Sequence, residues 1–213
     1  MTIEVKICGL NSRPAVAAAV EGGARLTGFV FFPPSPRYLE PEAAAPLVSD
    51  IPGGILRVGL VVDADDAFLK RILDHVRLDM LQLHGQESVE RVIEVKRRFG
   101  LPVMKAVALA EAADIDRARA FEAVADRLLF DARAPVGATR PGGNALAFDW
   151  ELLRGTTWQL PWLLAGGLDA GNLAQAVEIS GARAIDVSSG TEDRPGVKNL
   201  AKIRELLALA RRL

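Results

Sequence analysis

The most restrictive feature of this chain is an unbroken alternation of short β-rich runs with helical patterns, from one end to the other. Strand-like runs cover residues 3–8, 26–32, 56–62, 80–84, 103–107, 127–131, 162–165 and 184–187. Helical stretches follow at 13–21, 41–48, 67–76, 88–99, 112–123, a short one at 149–153, then 170–180 and 200–211. The last carries Ile203, Leu206, Leu207 and Ala210, the spacing of one helical face. A strand always followed by a helix predicts parallel strands joined by right-handed crossovers. Eight such units in 213 residues predict a closed (β/α)8 TIM barrel, with residues 1–213 as a single domain. No linker, low-complexity tract or short-period repeat divides the chain.

Composition narrows the partners. Half the residues are apolar, enough for a sizeable core. Lys and Arg number 26 against 27 Asp and Glu, a formal net charge of −1. Such a chain has no general electrostatic reason to bind nucleic acid or an anionic membrane. The basic runs Lys96-Arg97-Arg98 and Arg211-Arg212 sit near helix ends, where cations complement the helix dipole. One cysteine excludes an internal disulfide framework, and two histidines speak against a zinc site. No secretion signal and no membrane-length apolar run is read, so a cytoplasmic protein is expected.

Barrel active sites collect at the C-terminal ends of the strands. Polar residues gather there in this sequence. The first strand ends in Lys6-Ile7-Cys8-Gly9, the fourth in Gln82-Leu83-His84-Gly85, the sixth in Phe130-Asp131-Ala132 and the eighth in Asp186-Val187-Ser188-Ser189-Gly190. Period-two alternation puts Lys6 with Cys8, and Gln82 with His84, on shared strand faces. Parallel strands are buried on both faces, so polar residues inside them need a reason, and a wet barrel mouth supplies one. Each has a plainer reading. A lone cysteine is most often a small buried hydrophobe. Asp131 fits a loop cap, His84 a core histidine, and Arg37 in Ser35-Pro36-Arg37-Tyr38 a surface loop residue.

Two glycine-bearing turns follow the last two strands: Ala165-Gly166-Gly167-Leu168, and Ser188-Ser189-Gly190. Barrels often bind phosphate with these loops and a short extra helix. Glycine lets backbone N–H groups approach an anion closely, and the serine hydroxyls add donors. The turns predict a phosphorylated ligand without naming a reaction.

Seven segments together resemble a known family: Lys6-Ile7-Cys8-Gly9-Leu10, Gly28-Phe29-Val30-Phe31-Phe32, Ser35-Pro36-Arg37-Tyr38, Gln82-Leu83-His84-Gly85, Phe130-Asp131, Ala165-Gly166-Gly167-Leu168 and Asp186-Val187-Ser188-Ser189-Gly190. In order and along nearly the whole chain, they resemble phosphoribosylanthranilate isomerase. The resemblance implies an Amadori rearrangement of N-(5-phosphoribosyl)anthranilate to 1-(2-carboxyphenylamino)-1-deoxyribulose 5-phosphate, in tryptophan biosynthesis. It implies Cys8 as general base and Asp131 as general acid. It places Arg37 near the anthranilate carboxylate, and His84, Gly166, Gly167, Asp186, Ser188, Ser189 and Gly190 around the substrate. It implies no metal or organic cofactor, a small phosphorylated substrate as partner, and a monomer or homodimer.

The residue types suit that chemistry. Opening the furanose needs an acid at the ring oxygen, and a buried carboxylic acid keeps part of its protons near neutrality. The resulting imine acidifies C2–H, which a thiolate can remove. Lys6 on the same face is expected to draw the thiol pKa down, and Arg37 offers a planar fork to a carboxylate. One stretch departs from the family pattern: Gly142-Gly143-Asn144-Ala145 replaces a Gly-Gly-x-Gly loop. Alanine there is strained if the position needs positive φ. Two rival readings stay open: another phosphate-binding barrel enzyme, whose lysine–glutamate pairs or metal-binding histidines are not found at matching positions, and a non-catalytic phospholigand-binding barrel.

Overall fold

A computed structural model of the chain describes residues 2–135, 137–144 and 147–213. Eight parallel strands close on themselves: β1 (Glu4–Cys8), β2 (Leu26–Val30), β3 (Leu56–Val61), β4 (Met80–Leu83), β5 (Val103–Leu109), β6 (Arg127–Ala132), β7 (Trp162–Leu164) and β8 (Ala184–Val187). β1 pairs with both β2 and β8, and the second pairing sets Lys6 opposite Asp186. The predicted barrel is therefore present, with strand ends moved by one or two residues.

Seven α-helices surround it among the described residues: α1 (Arg13–Glu21), α2 (Pro41–Ser49), α3 (Asp66–His75), α4 (Val89–Phe99), α5 (Ala112–Arg119), α6 (Leu173–Ser180) and α7 (Leu200–Ala210). Local sequence sets their limits. Asp65, Ser88 and Asn199 accept the first free N–H groups of α3, α4 and α7, and Gly100 at φ +66° ends α4. Three expectations change. The helix expected over 112–123 ends at Arg119, where the chain tightens into i→i−3 turns and Phe121 comes to lie under the Lys105 ammonium. The helix expected over 170–180 starts only at Leu173. The short helix at 149–153 is a single 3-10 turn, Trp150–Leu153, followed by Gly155 at φ +69°. Trp158 and Trp162 stack on Phe130 of β6, at centroid distances of 4.8 and 5.4 Å. A hairpin that the sequence reading did not anticipate, β9 (Glu192–Arg194) with β10 (Val197–Lys198), follows β8.

The barrel interior is layered. Leu26, Val58, Met80, Met104, Leu129 and Leu163 form its apolar filling. Beneath them Arg127 of β6 pairs across the barrel with Glu4 of β1. Outside, Ile7, Phe29, Leu81, Val103 and Ile185 pack against helix residues such as Leu69, Val92 and Ile203. Above the filling, at the C-terminal strand ends, polar side chains take over. Among the described residues, no helix is long and apolar enough to cross a membrane. Ala145 lies outside the described residues.

Candidate active site

β1 lifts Lys6 and Cys8 into the barrel in succession, and both are buried. Lys6 Nζ donates to Asp186 Oδ1 at 3.0 Å, the pair that strand register sets side by side. A Cβ on Gly28 of β2 would stand 2.9 Å from Cys8 Sγ and 3.0 Å from Lys6 Nζ, so the glycine leaves the space that thiol and ammonium share. Burial opposes the charge of Lys6, but Asp186 and Cys8 outweigh it and raise the lysine's pKa. The thiol goes the opposite way to expectation. Burial pushes Cys8 above the ordinary thiol value, and the pull of Lys6 and Lys198 offsets that only in part, with Asp186 adding to the rise.

β4 and β6 supply the next group. Gln82 Nε2 lies 2.9 Å from His84 Nδ1, and His84 Nε2 lies 3.2 Å from Asp131 Oδ2. His84 is thus neither a plain core histidine nor isolated: it links an amide to the carboxyl. Its loop is fixed from below by Glu87, which accepts from the Gly85 N–H and pairs with buried Lys105 at 2.8 Å. Asp131 Oδ1 accepts from the Ala132 N–H at 2.8 Å, leaving Oδ2 toward His84 and the mouth. Gly142 covers the pair so closely that a Cβ there would stand 2.4 Å from Asp131 Oδ2.

The two glycine turns also meet here. Gly166 and Gly167 hold φ of +87° and +61°, which only glycine adopts without strain. A Cβ on Gly166 would stand 2.8 Å from the Ala132 amide nitrogen, so the turn lies against the strand end that carries Asp131. Among the described residues, the N–H groups of Gly167, Ser189 and Gly190 carry no internal partner. The Ser188 hydroxyl is buried and equally without one. The segment after β8 forms a single 3-10 turn, Ser189–Thr191.

Arg37 is not a surface loop residue. It is 3% exposed, and one edge of its predicted fork is already occupied: Nε and Nη2 donate to Glu192 Oε1 and Oε2 at 2.7 and 2.8 Å. Cys8, Arg37, His84, Asp131, Gly166, Gly167, Asp186, Ser188 and Ser189 line one cavity of about 60 Å³, with Pro141 to Gly143 laid across it. Gly190 stands behind this wall, its α-carbon against the Leu168 carbonyl, where a Cβ would come within 2.0 Å.

A family model described as N-(5'phosphoribosyl)anthranilate (PRA) isomerase matches residues 5–208. The chain belongs to that family. A relative named N-(5'-phosphoribosyl)anthranilate isomerase, from Paramagnetospirillum magneticum, is 56% identical over 211 residues, covering 99% of this chain and 98% of its own. The solved phosphoribosyl anthranilate isomerase from Thermotoga maritima superposes with a TM-score of 0.87 at 32% identity, covering 99% of this chain and 100% of the other. Another solved isomerase, in complex with reduced 1-(o-carboxyphenylamino)-1-deoxyribulose 5-phosphate, gives 0.83 at 31%, with 99% and 100% covered.

For a phosphoribosylanthranilate isomerase, the sequence reading missed a second ring of side chains: Glu192 and Lys198 behind Arg37, and Glu87 and Lys105 under His84. The Pro195-Gly196 turn signal after β8 marked the first pair. Nothing local marked the second, because Lys105 faces outward from β5 and meets Glu87 only through the fold.

Proposed function

We propose that this family member isomerises N-(5'-phosphoribosyl)anthranilate with Asp131 as general acid and Cys8 as general base. The observation that carries the reading is the gathering of thiol, carboxyl and two phosphate-type glycine turns around one cavity. The Asp131 carboxyl gives its proton to the furanose oxygen as the C1–O bond breaks and the aryl nitrogen lone pair forms C1=N, leaving a protonated imine. The Cys8 thiolate then takes the proton from C2. The C2–H electron pair moves into C1–C2 as the C1=N pair returns to nitrogen, and the enolamine formed becomes the ketone as C1 gains a proton and O2 loses one. His84, bonded to Asp131 Oδ2, orients the carboxyl and offers it a proton path.

The same reading assigns the substrate's two anionic ends. The phosphate is held by the N–H groups of Gly167, Ser189 and Gly190 with the Ser188 hydroxyl, groups that otherwise stand buried or unpaired. The anthranilate carboxylate goes to Arg37. Asp186 serves at the same mouth by holding Lys6 beside the thiol. A ligand of this size needs more room than about 60 Å³, since small-molecule pockets start at about 300 Å³. Entry therefore requires the segment from Pro141 to Gly143 to lift off Asp131 and Arg37. All the named groups come from one chain, so residues 1–213 act as one catalytic unit in a monomer or homodimer, and the cytoplasm is the expected compartment. Fluorescence loss from phosphoribosylanthranilate generated in situ tests the reading. Turnover that disappears on adding excess reduced product supports it, and a purified, folded chain without turnover refutes it.

A further inference from the structure

The hairpin after β8 is the part of the mouth to which the proposed chemistry gives no task. It threads between the loops that follow β1 and β2. Asn11 Nδ2 donates to the Gly196 carbonyl at 2.8 Å. Gly196 holds φ +82°, and a Cβ there would stand 2.3 Å from the Pro36 carbonyl oxygen. The turn of the hairpin thus rests on the backbone that carries Arg37. From the hairpin base, Glu192 grips Arg37 through two charged hydrogen bonds, with both side chains nearly fully buried. Lys198 Nζ lies 3.1 Å from Glu192 Oε1 and donates to the Ser188 carbonyl at 2.7 Å, so it ties the same carboxylate to the phosphate loop.

A guanidinium has two forked edges. Glu192 takes the edge formed by Nε and Nη2. The end-on edge, Nη1 with Nη2, lies at the cavity under the segment laid across it, where a Cβ on Gly143 would stand 2.6 Å from Nη1. There Nη1 makes no bond among the described residues, and Nη2 makes only a long contact to the Gly143 carbonyl at 3.4 Å. A free arginine loses much rotamer freedom when it grips a ligand, and here that loss has already been taken in folding. Burial opposes the charge of Glu192, but Arg37 and Lys198 outweigh it and hold its carboxyl below the usual range, so the anion persists.

We infer that Glu192, braced by Lys198, is a positioning residue that presents the end-on edge of Arg37 to a planar carboxylate on the aryl ring of the substrate. The hairpin is then the element that makes the mouth select an ortho-carboxylated N-aryl ribosylamine over the plain N-phenyl compound. This rests on the assignment of the carboxylate to Arg37.

The test compares reduced 1-(o-carboxyphenylamino)-1-deoxyribulose 5-phosphate with its counterpart lacking the carboxylate. Dissociation constants are measured for wild type, Glu192→Gln, Glu192→Asp and Arg37→Ala. Glu192→Gln is expected to weaken the carboxylated ligand roughly tenfold to a hundredfold and to leave the other within about twofold. With substrate, KM should rise far more than kcat falls. A simple charge argument predicts the reverse, since removing an anion beside Arg37 should tighten carboxylate binding. Glu192→Asp keeps the charge and loses reach, so it should weaken the same ligand selectively, by less. If Glu192→Gln does not fold, the aspartate variant decides alone. Unchanged or tighter carboxylate binding, or equal losses for both ligands, overturns the inference. Arg37→Ala separates the two levels. If it spares the carboxylate preference, the assignment of Arg37 fails. If it abolishes the preference while both Glu192 variants retain it, only the positioning role fails.

Discussion

The interior of the barrel holds two neighbouring layers built by the same strands. The lower one contains Leu26, Met80, Leu129 and Leu163. Two residues further along those strands, roughly 6.5 Å higher, stand Gly28, Gln82, Asp131 and Ala165. β8 makes the same step, from Ala184 to Asp186. The backbone is equally regular in both layers. The lower layer is filled with side chains whose only interaction is packing. In the upper layer the space is shared between glycine, amide, thiol and charge, and every buried polar atom must find a partner or await one. Stability and chemistry are therefore separated by one pleat repeat rather than placed in different parts of the chain.

That separation is open to direct attack. The largest effect belongs to the upper layer. Cys8→Ser and Asp131→Asn should each lower kcat by roughly 10²–10⁴-fold while the reduced product still binds, because neither group holds the phosphate or the carboxylate. Steady-state kinetics with titration of that ligand decides it, and near-normal turnover in either variant removes that residue from the mechanism. In the lower layer the outcome should invert. Leu129→Ala leaves a cavity in the barrel filling and should cost about 2–5 kcal/mol by urea unfolding, with kcat hardly altered. Loss of turnover without loss of stability would show that the layers are coupled.

The smallest effect is a displacement of a pH limb. The base must be a thiolate, and the rate at which Cys8 is alkylated rises with pH through the pKa of that thiol. Burial raises that pKa, which puts the rising limb on the alkaline side of the ordinary thiol value. Lys6 pulls the other way, so Lys6→Gln should carry the limb further alkaline. An unmoved limb in a folded Lys6→Gln protein would mean that the lysine serves only Asp186.

The alternation of patterns along the chain was sufficient to read the barrel, because each strand and helix is locally self-consistent. The mouth was legible as a set of strand-end residues, since period two and the glycine turns put polar groups where barrels work. What stayed hidden was pairing. Arg37 and Glu192 lie 155 positions apart, and only the closed fold makes them one ion pair. The sign of the thiol shift was hidden for a similar reason: a nearby lysine is visible in sequence, but the depth of burial that outweighs it is not. The helix ends near Arg119 and Leu173 moved for different reasons: beyond the first, Phe121 turns under Lys105, and before the second, Asp169 Oδ1 accepts from the Gly171 and Asn172 N–H groups and holds a local turn ahead of the helix.

Gly28 joins these themes. Its backbone angle is ordinary, so any residue could adopt its conformation; what it lacks is room, with Sγ of Cys8 and Nζ of Lys6 at the limit of contact. The intolerance of this position therefore belongs to its neighbours as much as to itself. Scanned one site at a time, position 28 would score as indispensable, and a reader of such a map would infer a demand of the main chain. Varied jointly with positions 6 and 8, it should accept alanine more readily once the thiol and the ammonium are gone, with the Cys8 α-carbon, 3.1 Å from the added Cβ, as the remaining close contact. The three positions form a single combinatorial unit, in which two chemically active side chains impose the blank space on the third.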